Sequence, residues 1–416
     1  MAWEEREELG FPVSVVNEPV PAIALSSRLV LDTPAREVTN GLTLGNGQCS
    51  GCGSRNGMGG ATRNGRSRQG GIKAKRREFM RLVRAFACTP VPLDALERFA
   101  AFLSDTRAVD EALVCDVERL TAAVGAAYDT TAPRRLLVPA RLLMKRTTRL
   151  FAGSMFSAER ERLMRCASEG ALVVGWLGFN LNERADARAY FLLTQDLAYE
   201  APDAVVQARA LGALSTLHST TYEGGNTAKA LALAEQANAL LPEHAPAGVR
   251  AYLAIREAVE HAASHDVSGY GRLTERAEVA GSQGQSESGL FARWDGGVLS
   301  GPKGRCLWLL NKPSEAELVL LDGLEHASHA RRRAKIANSL VRVYMAQDDP
   351  EAACSTGMQV IDGILDVRYV MGLQRLLAVR RDFPGEWAEL SYVREFDEVL
   401  RGAVGRLGVG GGIGSA

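Results

Sequence analysis

Apolar residues recur at spacings of three and four through most of the chain after about residue 82, as expected of amphipathic α-helices. The clearest stretch is 227–242, with the sequence TAKALALAEQANALLP, where small residues line one face and Pro242 ends the helix. That face is formed by Ala230, Ala234 and Ala237, with Leu233, Leu240 and Leu241 beside them. Small side chains let a second helix approach closely, and we expect this partner to carry Leu211, Leu214 and Leu217. The pattern predicts a helical hairpin, with a turn at 223–226, that needs neighbouring helices to bury its apolar face.

The same spacing predicts further helices, separated by short clusters of turn-forming residues. We expect them at 93–103, 109–127, 136–151, 171–180, 184–199, 247–263, 305–310, 314–324, 334–346 and 351–364. The segment 281–304 is rich in Gly and Ser, which indicates a break or a long connection between helices. Aromatic residues are only 6% of the chain and many apolar positions are Ala or Leu, a balance that favours packed helices over sheets. The sequence therefore predicts an all-α fold.

The first 72 residues have a different composition. Proline interrupts the short apolar runs, and 41–71 is dense in Gly, Asn, Ser and Arg with little to bury. We expect a disordered Gly-rich and basic tail at 1–72, a helical entry module at 73–160, a repeat domain at 161–402 and a flexible Gly-rich tail at 403–416.

The formal net charge is zero, but it is distributed unevenly. Ten Lys and Arg residues against a single Glu lie in 51–86, which leaves 39 basic and 48 acidic residues elsewhere. The basic residues that we single out are Arg63, Arg66, Arg68, Lys73, Lys75, Arg76 and Arg77. Such a density of positive charge attracts phosphate groups without reading base sequence, so we expect weak, salt-sensitive contact with nucleic acid. A solvated linker is the alternative interpretation.

Seven cysteines are present, and most of them lie within helical patterns, which suits buried thiols in a reducing cytoplasm. Cys49 and Cys52 form a Cys-x-x-Cys knuckle, which is half of a zinc site. The next cysteine is Cys88 and the first histidine is His218, so the second half is missing from the neighbourhood. An incidental pair is the favoured interpretation, and metal binding by Cys49 and Cys52 stays the alternative. We expect neither an export signal nor a membrane span, and a cytoplasmic location.

Motifs typical of catalysis are missing from the sequence. It contains no phosphate-binding GxxxxGK[ST] loop, no GxSxG nucleophile turn, no HExxH zinc motif and no dinucleotide-binding fingerprint. We therefore expect no enzymatic activity, no cofactor and no metal.

Two histidine pairs have spacings that could let two imidazoles share a metal. They are His261 with His265, near Glu257, and His326 with His329. Both pairs lie close to predicted helix ends, where histidine is commonly a solvated residue beside terminal carbonyls. We favour that interpretation over metal binding.

The order of small, aromatic and proline positions resembles the tetratricopeptide repeat. The matching residues are Gly175, Ala187, Phe191, Leu217, Ala230, Ala234, Pro242, Leu340, Tyr344 and Ala353. The resemblance implies a right-handed superhelix, or solenoid, of helical hairpins whose concave groove binds a protein, a peptide or a small signal.

Three longer phrases are similar to the helical-repeat region of actinobacterial XRE-type transcriptional regulators. They are KRREFMRL, GWLGFNLNERADARAYF and GPKGRCLWLLNKPSEAE, within a similarity that extends from Lys75 to about Gly402. The resemblance implies a regulatory interaction scaffold. Many such regulators begin with a DNA-reading helix-turn-helix, whose three amphipathic helices are not recognisable in residues 1–70. A sequence-specific DNA-binding regulator with a cryptic helix-turn-helix therefore stays an alternative.

Overall fold

A computed structural model of the chain describes residues 109–151, 157–219, 225–283 and 297–408, all within one compact unit. These residues form fourteen α-helices and no strand, which confirms the all-α class for the described part of the chain. Several predicted segments lie outside these residues. They are the helix at 93–103, the basic segment, the tail at 1–72 and most of the tail at 403–416.

The helices are α1 (Glu111–Ala127), α2 (Pro133–Phe151), α3 (Ser157–Asn180), α4 (Arg184–Glu200), α5 (Ala204–His218), α6 (Thr227–Leu240), α7 (Ala247–Ala263), α8 (Val267–Gln283), α9 (Gly297–Leu309), α10 (Pro313–His326), α11 (Ala330–Ala346), α12 (Pro350–Asp366), α13 (Val370–Arg381) and α14 (Ser391–Leu407). A short 3₁₀ helix, Gly385–Glu389, precedes α14.

The helices from α3 onward pack as consecutive pairs, from α3 with α4 to α13 with α14. The first helix of each pair also contacts the first helix of the next pair, so α3, α5, α7, α9, α11 and α13 form a continuous inner layer. α13 in turn contacts α3, so the last pair meets the first. Helices α1 and α2 pack against α3. The pairing leaves few inner-layer residues exposed, since every first helix has neighbours on several sides.

One turn geometry recurs between helices. Asn182, His265, Asn311 and Asp348 follow the first helices of four pairs, each with a φ near +60°. In each case the N–H of the next residue donates to a carbonyl five positions earlier at 2.9 Å, as Asp266 does to His261. This bond and the left-handed residue are the features of a Schellman ending, which satisfies helix-terminal carbonyls without a long loop. The same turn therefore joins the two helices in four of the pairs.

Several of the second helices begin with a capping side chain. The Asn226 side-chain oxygen accepts from the N–H of Lys229 at 2.9 Å, and the Asp349 carboxylate from that of Ala352 at 2.9 Å. Asp203 caps α5, the first helix of its pair, by accepting from the N–H groups of Val205 and Val206, both at 3.1 Å. These bonds satisfy amides that the helix itself leaves unpaired.

The structure differs from the sequence-based expectation in several elements. Helix α3 begins at Ser157 rather than near Ala171, and α8, α13 and α14 were not predicted. The connection expected at 281–304 is wrong for its last part, because α9 begins at Gly297 and continues through Pro302. Gly304 lies against α10, where an added Cβ would come within 2.3 Å of Leu320 Cγ. The glycine therefore permits close helix packing, which its loop-forming tendency concealed.

Candidate functional site

The residues of the predicted repeat register lie between helices. An added Cβ on Gly175 in α3 would lie 2.4 Å from the ring of Phe191 in α4, so only a glycine fits there without a shift. The residues of the repeat register with buried side chains are Ala187, Phe191, Leu217, Ala230, Ala234, Leu340 and Ala353. Pro242 and Tyr344 are half-buried. Most of these positions are therefore part of the helix-to-helix packing.

The two histidine pairs do not have the arrangement that the spacing suggested. Helix α7 ends at Ala263, and His265 occupies the left-handed turn position at φ 58°, so it does not share a helical face with His261. His326 is the last residue of α10, while His329 is the N-cap of α11. In both cases a helix boundary falls inside the pair, which removes the i, i+4 or i, i+3 geometry.

The remaining predicted site residues lie outside the described residues. These are Cys49, Cys52, Arg63, Arg66, Arg68, Lys73, Lys75, Arg76 and Arg77. Of the cysteines that are described, Cys166, Cys306 and Cys354 are buried and free, and Cys115 is half-buried and free. Burial raises the pKa of the Cys306 thiol to about 12, which makes it a poor nucleophile.

A group of positively charged side chains in the inner helix layer was not anticipated. It comprises Arg256 on α7, Arg305 on α9, and Arg331 and Lys335 on α11, and we call it the interior cationic cluster. Arg305 interacts electrostatically with Arg256, and Lys335 interacts with both Arg305 and Arg331. Helices α7, α9 and α11 contact one another in series, which brings these side chains together.

Arg331 is the most deeply buried member, with 1% of its side-chain surface exposed. Its guanidinium donates to the backbone carbonyls of Tyr128 and of Thr131, the latter at 2.7 Å, and both belong to the connection between α1 and α2. It also lies over the rings of Tyr128, at 4.9 Å from the centroid, and Tyr369, at 5.9 Å. These contacts pair two of the guanidinium nitrogens, whereas the buried Nε has no hydrogen-bond partner, and no carboxylate among the described residues forms an ion pair with Arg331.

Arg256 does have an acidic partner. It forms an ion pair with Glu260 one turn later on α7 and donates to the hydroxyl of Ser219 at 3.2 Å. Burial nevertheless lowers the pKa of Arg256 to about 10, which shows how poorly this interior solvates charge.

Arg305 and Lys335 are the other two members of the interior cationic cluster. Both side chains are half-buried, and neither makes a hydrogen bond or an ion pair with any residue that the structure describes. Burial, with the charges of Arg331, Arg332 and Arg305 nearby, lowers the pKa of Lys335 to about 8, although Asp129 acts in the opposite direction. Burial also lowers the pKa of Arg305. The two groups thus offer hydrogen-bond donors and positive charge that the described residues do not use.

Tyrosine side chains surround the cluster. The Tyr128 hydroxyl accepts a hydrogen bond from Asn180 on α3 at 2.7 Å, and burial raises the pKa of Tyr128 to about 12. Burial likewise raises the pKa of Tyr252 on α7 to about 12 and that of Tyr369 above its usual value. All three phenols therefore stay neutral at physiological pH, and they supply flat apolar surface beside the positive charges.

The sequence contained a signal for this site, although an indirect one. Arg256 and Arg305 lie inside largely apolar helix segments (AYLAIREAV and GRCLWLL), where a charged residue interrupts the face that must be buried. Periodicity alone does not show that such residues from separate pairs converge.

Comparisons with known proteins leave the chain without an assigned family. No protein-family model matches it, and no curated protein is significantly similar to it. None of the helices in the described residues has the length and apolar character needed to cross a bilayer.

Proposed function

We propose that this protein is a regulatory binding scaffold whose tetratricopeptide-like pairs form a right-handed superhelix and whose interior cationic cluster binds an anionic ligand. The ligand is a small signal or a peptide that presents a carboxylate or phosphate group. The regulatory part of the proposal rests on the resemblance to the repeat region of XRE-type regulators. The anion-binding part rests on the inner-layer geometry.

The observation that carries the proposal is the position of Arg305 and Lys335. Lys335 interacts electrostatically with Arg305 and with Arg331, burial lowers the pKa of both Arg305 and Lys335, and no carboxylate among the described residues contacts either side chain. Like charges held near one another at half-buried positions repel, and an anion placed between them offsets that repulsion. The planar guanidinium of Arg305 suits a carboxylate or phosphate, which it can bind through two parallel hydrogen bonds.

The arrangement also suggests how occupancy would be transmitted. The cluster draws on α7, α9 and α11, which belong to three successive pairs. An anion bound by residues of three pairs stabilises their mutual packing, because it binds only when they are correctly assembled. We expect ligand binding to rigidify the array and so to change how the chain contacts its partner protein.

Thermal unfolding of the purified full chain tests the anion-binding step. The chain is heated with inorganic phosphate, pyrophosphate, citrate or an acidic peptide, each at equal ionic strength adjusted with sodium chloride. We expect at least one multivalent anion to raise Tm by several degrees in wild type, and Arg305→Gln to remove most of that shift. Arg272→Gln is the matched control, because Arg272 is an exposed arginine on α8.

Equal shifts in wild type, Arg305→Gln and Lys335→Gln would show that the anions act elsewhere and would refute the proposal. A shift that sodium chloride alone reproduces would do the same, because it would reflect general screening of charge.

A further inference from the structure

A second cluster, of mixed acidic and histidine side chains, lies where α6 packs on α7. It consists of Glu235 on α6 with Glu257 and His261 on α7. One potential ligand atom from each residue lies within 4.8 Å of the other two. Glu257 and His261 are one helical turn apart, and the α6·α7 contact brings the third residue to them.

The histidine is held in a defined orientation. Its Nδ1 lies 2.8 Å from Oδ2 of Asp266, and Oδ1 of the same carboxylate accepts from the N–H of Gly269 at 2.9 Å. Nε2 is therefore directed towards Glu257, whose Oε1 lies 3.6 Å away. A carboxylate on one ring nitrogen, with the other ring nitrogen directed into the site, is the arrangement that orients histidine ligands in metal sites.

Glu257 is oriented in the same way. Its Oε2 accepts a hydrogen bond from the side-chain amide of Asn238 at 2.7 Å, which leaves Oε1 directed towards His261. Glu257 is buried and His261 half-buried, whereas Glu235 is exposed. Two of the three candidate ligands are thus preorganised by neighbours, and the third closes the site from the solvent side.

We infer that Glu235, Glu257 and His261 bind a divalent transition-metal ion, with water completing its coordination on the exposed side. Metal–ligand distances of about 2.1 Å place the ligand atoms about 3 to 4 Å apart, so a small movement of the exposed Glu235 side chain completes the set. A cation also offsets the repulsion between two carboxylates held together at a partly buried position. One imidazole with two carboxylates suits Mn²⁺ or Zn²⁺.

This site does not depend on the proposed function. It has no residue in common with the interior cationic cluster, and its occupancy is measured without any anionic ligand.

The test is a titration of the full chain with Mn²⁺, followed by the loss of the free-ion EPR signal. Mn²⁺ is the better probe here because thiolates such as those of Cys49 and Cys52 favour Zn²⁺. We expect one equivalent to bind to wild type, Glu257→Gln and His261→Gln to weaken binding at least 100-fold, and Asn238→Ala to weaken it about tenfold.

A matched control exists on α10, where Asp322 and His326 have the same sequence spacing as Glu257 and His261. His326 Nδ1 lies 3.3 Å from Asp322 Oδ1, and both side chains are exposed. Asp322→Asn should leave Mn²⁺ binding unchanged. Far-UV circular dichroism of every variant checks that the helices are intact. Equal affinity for Mn²⁺ in wild type and His261→Gln, or no binding to folded wild type, would overturn the inference. The contact between His261 and Glu257 would then be an ordinary ion pair.

Discussion

The guanidinium of Arg331 lies 4.9 Å from the ring centroid of Tyr128, a residue 203 positions earlier in the chain. Arg331 also donates to the carbonyl oxygens of Tyr128 and Thr131. The connection between α1 and α2 is thereby tied to the beginning of α11. Tyr128 is in turn bound to Asn180 at the end of α3. A single arginine thus connects elements that are distant in sequence, beside the residues that we propose bind an anion.

We predict that Arg331→Met destabilises the protein by about 3 kcal/mol, because it leaves the buried Tyr128 carbonyl and the partly buried Thr131 carbonyl without their donor. Urea denaturation followed by circular dichroism measures the change. Arg272→Met is the control and should alter the free energy of unfolding by less than about 0.5 kcal/mol, since its side chain is exposed. A loss below 1 kcal/mol for Arg331→Met would mean that water readily replaces the guanidinium.

Two glycines of α3 offer a paired test of helix packing. Gly175→Ala should destabilise by about 1 to 3 kcal/mol, because the new methyl group would meet the Phe191 ring at 2.4 Å. Gly178→Ala should be neutral or stabilising by up to about 1 kcal/mol, since its methyl group would make an ordinary contact, 3.5 Å from the Ala187 nitrogen. Equal effects of the two substitutions in urea denaturation would contradict the close approach of α3 and α4 at Gly175.

The stability contribution of Lys335 should depend on pH. Its pKa is about 8 in the folded protein and near the usual lysine value of 10.5 when unfolded, so the unfolded chain binds more protons between these values. Stability attributable to this group therefore rises with pH through that window. The groups that act on it are Asp129, Arg331, Arg332 and Arg305.

The measurement compares wild type with Lys335→Met from pH 7 to pH 9.5. Buried cysteines, whose pKa burial raises to about 11 or 12, ionise in this range only after unfolding, and this contribution is common to both proteins. We expect the free energy of unfolding of wild type to rise relative to that of Lys335→Met as the pH rises. A difference that does not change with pH would show that Lys335 is well solvated. Anion binding should weaken over the same range, as the ammonium loses its proton.

Asp203→Ala should destabilise by about 1 kcal/mol, because the side chain caps α5 through Val205 and Val206. Asp203→Asn keeps the accepting oxygen and should recover most of that loss. If Asn fails to do so, the ion pair of Asp203 with Arg165, at 3.0 Å, is the more important contact.

The basic segment gives a prediction that rests on sequence alone. The full chain should bind random-sequence duplex DNA with an affinity that falls steeply with salt, and a variant with Lys75, Arg76 and Arg77 changed to Gln should show a smaller salt dependence. Gel-shift titrations at several sodium chloride concentrations provide the measurement. Identical salt slopes would show that these residues are a solvated linker.

Local patterns were sufficient to predict the all-α class and most helices from α1 to α12, because amphipathic spacing and prolines act within a few residues. They failed for α8, α13 and α14 and for the start of α9, where a closely packed glycine such as Gly304 looks like a loop residue. Whether the pairs form a superhelix stays a prediction from the repeat resemblance.

The sequence by itself determined most of the helical segments and several of the turns between them, since both depend on side chains close together along the chain. It could not determine that Arg305 and Lys335 meet beside Arg331, or that Glu235 reaches Glu257 and His261. Those encounters depend on how helices from different pairs are rotated and spaced when they pack. Charged residues spread over many helices carry no shared periodicity, and only the packed inner layer brings them into one electrostatic environment.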